Sequence, residues 1–533
     1  MLSLAFATVL VIALCLGFSP RWETNDDVAM SMMAHGYGIA AEGSPQLLFS
    51  KVMWGWIVRS LPDIGGVPGY SAATMLALWG AVWATAFSLL RLGVAPLVAI
   101  PATTLLFLRP LLFPQFTLTA GMLVLAGVLC WLAYARVPRG SVLVVGCVLV
   151  LLGFLVRSLE CLFVLGLTSP MFPWAAVRRP AVRAAVASLV LAMIGAWLLD
   201  QWMFADPAWQ PFIDRNRLRA PFTDFGVAAL AGSDPALLAT HGFTGNDMEL
   251  LGAWFFMDPQ LAEPARLRAV VGHIVRGASV TDRSVNAWAG VAVLWAPALL
   301  PLLAPALAGM VVVFDRRVLV MWAGLVVALF AFAFIGRVAP ERVHYPLVSA
   351  LAVFPLFAGK GSSGRRIAAI SVTILVALAV QTFRLVPASI QSTATMATVR
   401  RDLASLPDEL IVSWGGRFPL ESAYPVLGRD RGPKMTKIYG MGVFNAAPNT
   451  ISQQEERAGR GLVSRLTGET GVIMFASDRH VRLLETYCRE RLAAPLELMA
   501  SQATESFVLR RFRCSKASHV SAGADVASKA DAR

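Results

Sequence analysis

Residues 1–38 read MLSLAFATVLVIALCLGFSPRWETNDDVAMSMMAHGYG. Leu2 to Phe18 is an unbroken apolar run, followed at once by Arg21, Glu23, Asp26 and Asp27. A signal peptide has a basic first segment and a small-residue cleavage site. This run has neither, so it reads as a retained first membrane helix. The question for the rest of the chain is why two neighbouring aspartates stand where it leaves the bilayer.

The composition supports the membrane reading. Of 533 residues, 57% are hydrophobic and 15% charged, whereas a soluble domain carries about 25% charge. Apolar blocks of spanning length fall near 2–18, 72–90, 94–108, 117–135, 141–156, 159–176, 184–201, 286–313, 318–336, 343–359 and 367–385. The expected fold class is a polytopic α-helical membrane protein with about eleven spans. The net charge of +13 comes without a basic stripe interleaved with aromatics, which argues against nucleic acid as a partner.

The loops set the topology. Arg91; Arg136 and Arg139; Arg178, Arg179 and Arg183; Arg316 and Arg317; and Lys360, Arg365 and Arg366 stand between alternate pairs of spans. The positive-inside rule places all five groups in the cytoplasm. The loops 19–71 and 202–285 and everything after about 386 then lie outside, as in a bacterial inner membrane facing a periplasm. A transmembrane unit over 1–389 is expected, then an external α/β domain over 390–515 and a disordered polar tail over 516–533. In that domain DELIVSWGG, GVIMFASD and ESFVLRRFRC read as strands, with ISQQEERAGRGLVSRL and RHVRLLETYCRERL as helices between them. Cys488 and Cys514 are its two cysteines. A disulfide suits an oxidising compartment; two free thiols are the alternative.

Ionisable groups at the outer membrane face are costly and usually functional. Asp26 and Asp27 follow span one, Arg109 ends span three, and Arg157 and Glu160 occupy LVRSLECL. Arg337, Glu341, Arg342 and His344 lie in GRVAPERVHYP. Arginines outside oppose the positive-inside bias, and an anionic lipid headgroup would hold them there. A nearby carboxylate can accept the proton of an attacking hydroxyl or hold a divalent cation. Adjacent helical residues point about 100° apart, so Asp26 and Asp27 should play unequal roles. Each charge also has a bland reading. Asn25-Asp26-Asp27 suits a helix N-terminus, Arg157 and Glu160 could form an ion pair, and the arginines could reach ordinary lipid phosphates.

QLLFSKVMWGWIVRSL (46–61), with Lys51, Trp54, Trp56 and Arg59, reads as a helix lying in the membrane interface. With DVAMSMMAHGYG it gives the first external loop two short helices. The second loop holds Asp214, Arg215, Asn216, Arg219 and Asp224 in one cluster and Asn246, Asp247, Trp254 and Asp258 in another. Aromatics beside amides and charges suit a carbohydrate; internal salt bridges in a folded loop explain them equally well.

TNDDVAMSMMAHGYG followed by QLLFSKVMWGWIVRSL, with RNRLRAPFTD and NDMELLGAWFFMD further on, resembles the GT-C superfamily of membrane glycosyltransferases over about residues 1–360. The resemblance implies an enzyme using a polyprenyl-phosphate-linked sugar and an envelope glycan, lipid or protein acceptor. It implies that Asp26 or Asp27 is the catalytic base or metal contact; some members use Mg2+ or Mn2+ and others do not. Topology points to Arg157, Arg337, Arg342 and Arg109 for the donor phosphate. Asn25, Arg219, Asp224, Asn246, Asp247 and Trp254 are the acceptor- and sugar-binding expectations. A flippase for lipid-linked sugars is the alternative from another class.

Overall fold

The computed structural model describes residues 1–277, 280–358, 364–415, 418–428 and 437–515. Lys360 of the expected fifth basic loop and the tail 516–533 lie outside these residues. The chain is mostly helical, with several long apolar helices and, among the described residues, one small sheet. Among the described residues five helices are long and apolar enough to span: Gly69–Arg91, Phe116–Arg136, Pro180–Phe204, Arg316–Phe334 and the stretch Ala368–Leu403. Four shorter apolar helices accompany them: Leu2–Gly17, Pro96–Leu112, Gly140–Val156 and Ser158–Met171.

Two expected boundaries are corrected. The block 286–313 is not one straight span, because Arg283–Trp295 and Leu300–Val313 meet at 92°. The break is Ala296-Pro297-Ala298-Leu299, where Pro297 offers no N–H to continue a helix. The boundary between 389 and 390 falls inside one 40-residue helix, Gly364–Leu403, which carries the chain continuously out of the apolar layer.

Phe116–Arg136 is the centre of the bundle and is almost wholly buried. It can pack closely because its facing residues are small. A Cβ on Gly127 would lie 2.7 Å from the Gly146 carbonyl of Gly140–Val156. On its other side, a Cβ on Gly121 would meet Pro346 at 2.3 Å. That contact seats the Glu341–Val353 helix beside the centre.

The loop 19–71, expected outside, forms two helices, Asn25–His35 and Val52–Ser60. The first ends at Gly36, whose φ of +74° makes the left-handed cap for which glycine is suited. The second is shorter than expected: Gln46 to Lys51 are not helical, and Val52, Trp54, Gly55 and Val58 are buried. Lys51, expected at the membrane interface, pairs with Asp200 at 2.9 Å.

The sheet has strands β1 Ile411–Trp414, β2 Ile438–Met441, β3 Val472–Phe475, β4 Leu496–Ala503 and β5 Val508–Cys514 in the order β2-β1-β3-β5-β4. β1 is parallel to β2 and β3, while β5 runs antiparallel to β3 and β4. β1, β2 and β3 alternate with helices as parallel strands must. ISQQEERAGRGLVSRL forms two helices, Ile451–Arg457 and Leu462–Thr467, because Gly459 sits at φ +71° between them. Cys488 and Cys514 form a disulfide.

The sheet does not build its core alone. Leu250, Leu251 and Phe255 of the loop 202–285 pack with Trp414, Tyr439 and Tyr487. The Trp414 indole N–H donates to Ala253 O at 2.6 Å, and Tyr487 Oη donates to Asp258 at 2.9 Å. The first loop joins from the other side. Ile438 N donates to Gly38 O, Ala41 N to Asn449 O, and Ile451 N to Ile39 O. Residues expected as a separate domain are thus tied to the loops 19–71 and 202–285 by buried side chains and backbone hydrogen bonds.

Candidate functional site

Asp26 and Asp27 occupy the first turn of Asn25–His35, where the helix dipole favours negative charge. They face different surroundings. Asp27 is fully buried. Its carboxylate accepts from Tyr70 Oη at 3.0 Å, Phe116 N at 3.0 Å and Thr24 Oγ1 at 3.4 Å. These bonds pin the first loop to the starts of Gly69–Arg91 and Phe116–Arg136. Burial holds its carboxyl well above the usual carboxylate range, against the donors from Tyr70 and Phe116. These three donors hold Asp27 in place in the first turn of the helix.

Asp26 opens into a cavity of about 410 Å³. Arg342 Nη2 lies 3.9 Å from its carboxylate. Burial raises the Asp26 pKa, and Arg342 and then Arg157 oppose the rise. A carboxylate so placed is more basic than an exposed one.

Four arginines line the cavity: Arg157, Arg219, Arg337 and Arg342. Arg157 stands in extended backbone between Gly140–Val156 and Ser158–Thr168. Its guanidinium lies 5.3 Å from the ring centres of both Phe49 and Phe116. Arg219 lies over Trp254 at 4.2 Å and donates to Asn216 Oδ1 and Thr223 Oγ1. Trp254 itself holds φ +72°, a conformation that costs a non-glycine residue about 1–3 kcal/mol and clusters at functional sites. Arg337 lies over Phe225 at 5.6 Å. Asp224 lines the same cavity.

The cavity changes character along its lining. Apart from Arg219, within Gln210–Asp224, its charges come from loops and helix ends, whereas Phe163, Leu325, Ala328, Leu329, Phe332 and Leu347 come from helix bodies. Cationic and apolar surfaces meet in one space, as an amphiphile with an anionic head requires.

Three expected site residues lie elsewhere. Arg109 pairs with Glu23 at 2.7 Å and lines a different pocket with Glu341 and Arg384. Asp247 forms a capping box with Thr244 and pairs with Arg491, and Asn246 donates to Leu483 O at 3.2 Å. These bonds fasten the second loop to the Asp478–Arg491 helix. Asn25 is placed beside Asp26, but on a smaller neighbouring pocket.

One charged residue of the cavity was not among the expected site residues. Glu160 is 2% exposed, lines the space, and has no hydrogen-bond partner at Oε1; no ion pair joins it to Arg157. The signal was present, since a lone glutamate in LECLFVLGL is an expensive residue for an apolar helix. The donor set does not fit a divalent ion held between the two aspartates. The oxygens of Asp27 are engaged by three donors and Asp26 stands among arginines, and among the described residues no cluster of three or more His, Cys, Asp or Glu could hold a metal.

No family model and no curated protein matches the chain. Among solved structures it is similar to ArnT from Cupriavidus metallidurans bound to undecaprenyl phosphate, with 13% identity over 96% of this chain and 97% of that one, at a TM-score of 0.40.

Proposed function

We propose that this protein is an inverting glycosyltransferase of the GT-C type. It would move a sugar from a polyprenyl phosphate to an acceptor hydroxyl on the outer face of a bacterial inner membrane. The observation that carries this is the single cavity in which Asp26, four arginines and an apolar wall meet.

Each part has a role in the reaction. The lipid chain lies against Phe163, Leu329 and Phe332, and the phosphate against Arg157, Arg337 and Arg342. Asp26 takes the proton from the acceptor hydroxyl, whose oxygen bonds to the anomeric carbon. The bond from that carbon to the phosphate oxygen breaks, and its electron pair leaves with the lipid phosphate. The arginines stabilise the charge that develops there. Attack opposite the leaving group inverts the anomeric centre. Arg219 and Trp254 form a sugar-binding wall, an aromatic face beside a cation. The basic loops on the opposite side of the bundle support the outward orientation.

The test uses purified protein, a panel of polyprenyl-phosphate sugars, and Asp26→Asn beside wild type. Release of free polyprenyl phosphate by wild type, lost in the variant, is the expected result. Donor binding and bilayer flipping that persist unchanged in the variant, with no release from any donor by wild type, would sink the enzyme in favour of a flippase.

A further inference from the structure

Asp26 is a wall of two spaces. One is the arginine-lined cavity. The other, about 80 Å³, opens between Asn25–His35 and the sheet, beside the ends of β1 and β2. By the roughly 10–15 Å³ each water needs, it holds about five to eight waters, enough for the reacting part of a sugar ring. In open α/β sheets ligands bind outside the carboxyl ends of the parallel strands, and this space takes Ser413 from β1, Gly440 and Met441 from the end of β2, and the segment 442–445 that follows it.

The two spaces differ in charge. Among the described residues that line the smaller one, Asp26 alone is charged. The remaining polar groups are neutral: Asn25, Ser413, Asn445, Thr450 and Ser452. Asn445 directs its amide N–H to the sulfur of Met257, and its Oδ1 is buried with no hydrogen-bond partner. A buried acceptor without a donor is costly, and a ligand hydroxyl would satisfy it. Val443 borders both spaces and a small cleft that reaches Arg219 and Trp254.

We propose that this neutral pocket, built by the sheet and the first external loop, is the acceptor subsite, and that it takes an uncharged carbohydrate. The proposal rests on the transferase reading for what Asp26 does. The charge argument is direct. Among the described residues of this pocket a phosphorylated or carboxylated acceptor would find Asp26 and no cation, whereas a neutral hydroxyl finds amides, hydroxyls and the base. The hydroxyl gives its proton to Asp26 as its oxygen bonds to the anomeric carbon in the adjoining cavity, and the bond from that carbon to the lipid phosphate oxygen breaks with its electron pair leaving on the phosphate.

Gly442 provides a clean probe. It lines this pocket and not the arginine-lined cavity, and a Cβ there meets nothing within 4 Å. Gly442→Leu and Asn445→Ala are made in the full chain. Each is measured for retention on an array of neutral, sulfated and uronic-acid oligosaccharides, and for binding of undecaprenyl phosphate. Wild type should retain neutral glycans, and both variants should bind them about tenfold more weakly or worse, with undecaprenyl phosphate affinity within about twofold of wild type. The subsite is overturned if wild type retains no neutral glycan, if anionic glycans bind best, or if both variants match wild type. Failure of wild type to bind undecaprenyl phosphate while neutral glycans still bind would sink the transferase reading and leave the subsite standing.

Discussion

Replacing each of the two neighbouring aspartates by alanine should separate folding from function. Asp27→Ala leaves Tyr70 O–H and Phe116 N–H buried without their acceptor. At roughly 1–3 kcal/mol for each unsatisfied donor, the cost is about 2–6 kcal/mol. The same loss unpins the first loop from two central helices, so donor binding should fall with stability. Asp26→Ala removes a carboxylate that is partly open to solvent and 3.9 Å from Arg342. A pair of that kind contributes roughly 1 kcal/mol or less, but loss of a general base lowers the rate by about 10²–10⁴-fold. Thermal unfolding in detergent, with binding and release of polyprenyl phosphate, measures both. Asp26→Ala should melt like wild type, bind lipid phosphate and fail to turn over. An Asp27→Ala protein that melts like wild type, or an Asp26→Ala protein that retains transfer, would refute the division of roles.

Four further outcomes are expected. Burial raises the Asp26 pKa and Arg342 opposes the rise. Transfer should therefore fall as pH drops through a value above the ordinary carboxylate range, and Arg342→Gln should move that limb to higher pH; a shift to lower pH would contradict the assignment. Arg219→Lys keeps the charge but loses the flat contact with Trp254, so sugar-donor affinity in equilibrium binding should weaken by about 1 kcal/mol while that for the unglycosylated lipid phosphate holds. Asp247→Ala breaks a capping box and leaves Arg491 unpaired, so it should destabilise by about 1–3 kcal/mol in melts with no change in glycan or lipid affinity of the folded fraction. Reduction of Cys488–Cys514, which closes a separation of 26 residues, should lower stability by about 3–4 kcal/mol in the chain-entropy account, seen as an earlier melt in dithiothreitol.

Much of the fold is legible in the sequence because a bilayer is a severe solvent. Every backbone polar group in it must be paired internally, so apolar blocks become helices. Segments read as strands also form β1, β3 and β5, where apolar runs are bounded by turn residues. β2 was not legible, because IYGM is short and holds a glycine. β4 was not, because LELMASQA is exposed along most of its length and has no buried face to mark it.

The sequence by itself determined the membrane class, the alternation of basic loops and the set of charges too costly to be accidental. Only the tertiary structure decided how those charges divide. Asp26 and Asp27 are indistinguishable as letters, yet one faces a cavity and the other is held by Tyr70 and Phe116. Arg109 and Arg157 both stand at helix ends, but Glu23 reaches only Arg109. The second loop's acidic residues separate likewise, with Asp224 at the cavity and Asp247 under Arg491. The physical reason is that local pattern reports the cost of placing a charge, whereas its partner is fixed by residues tens to hundreds of positions away.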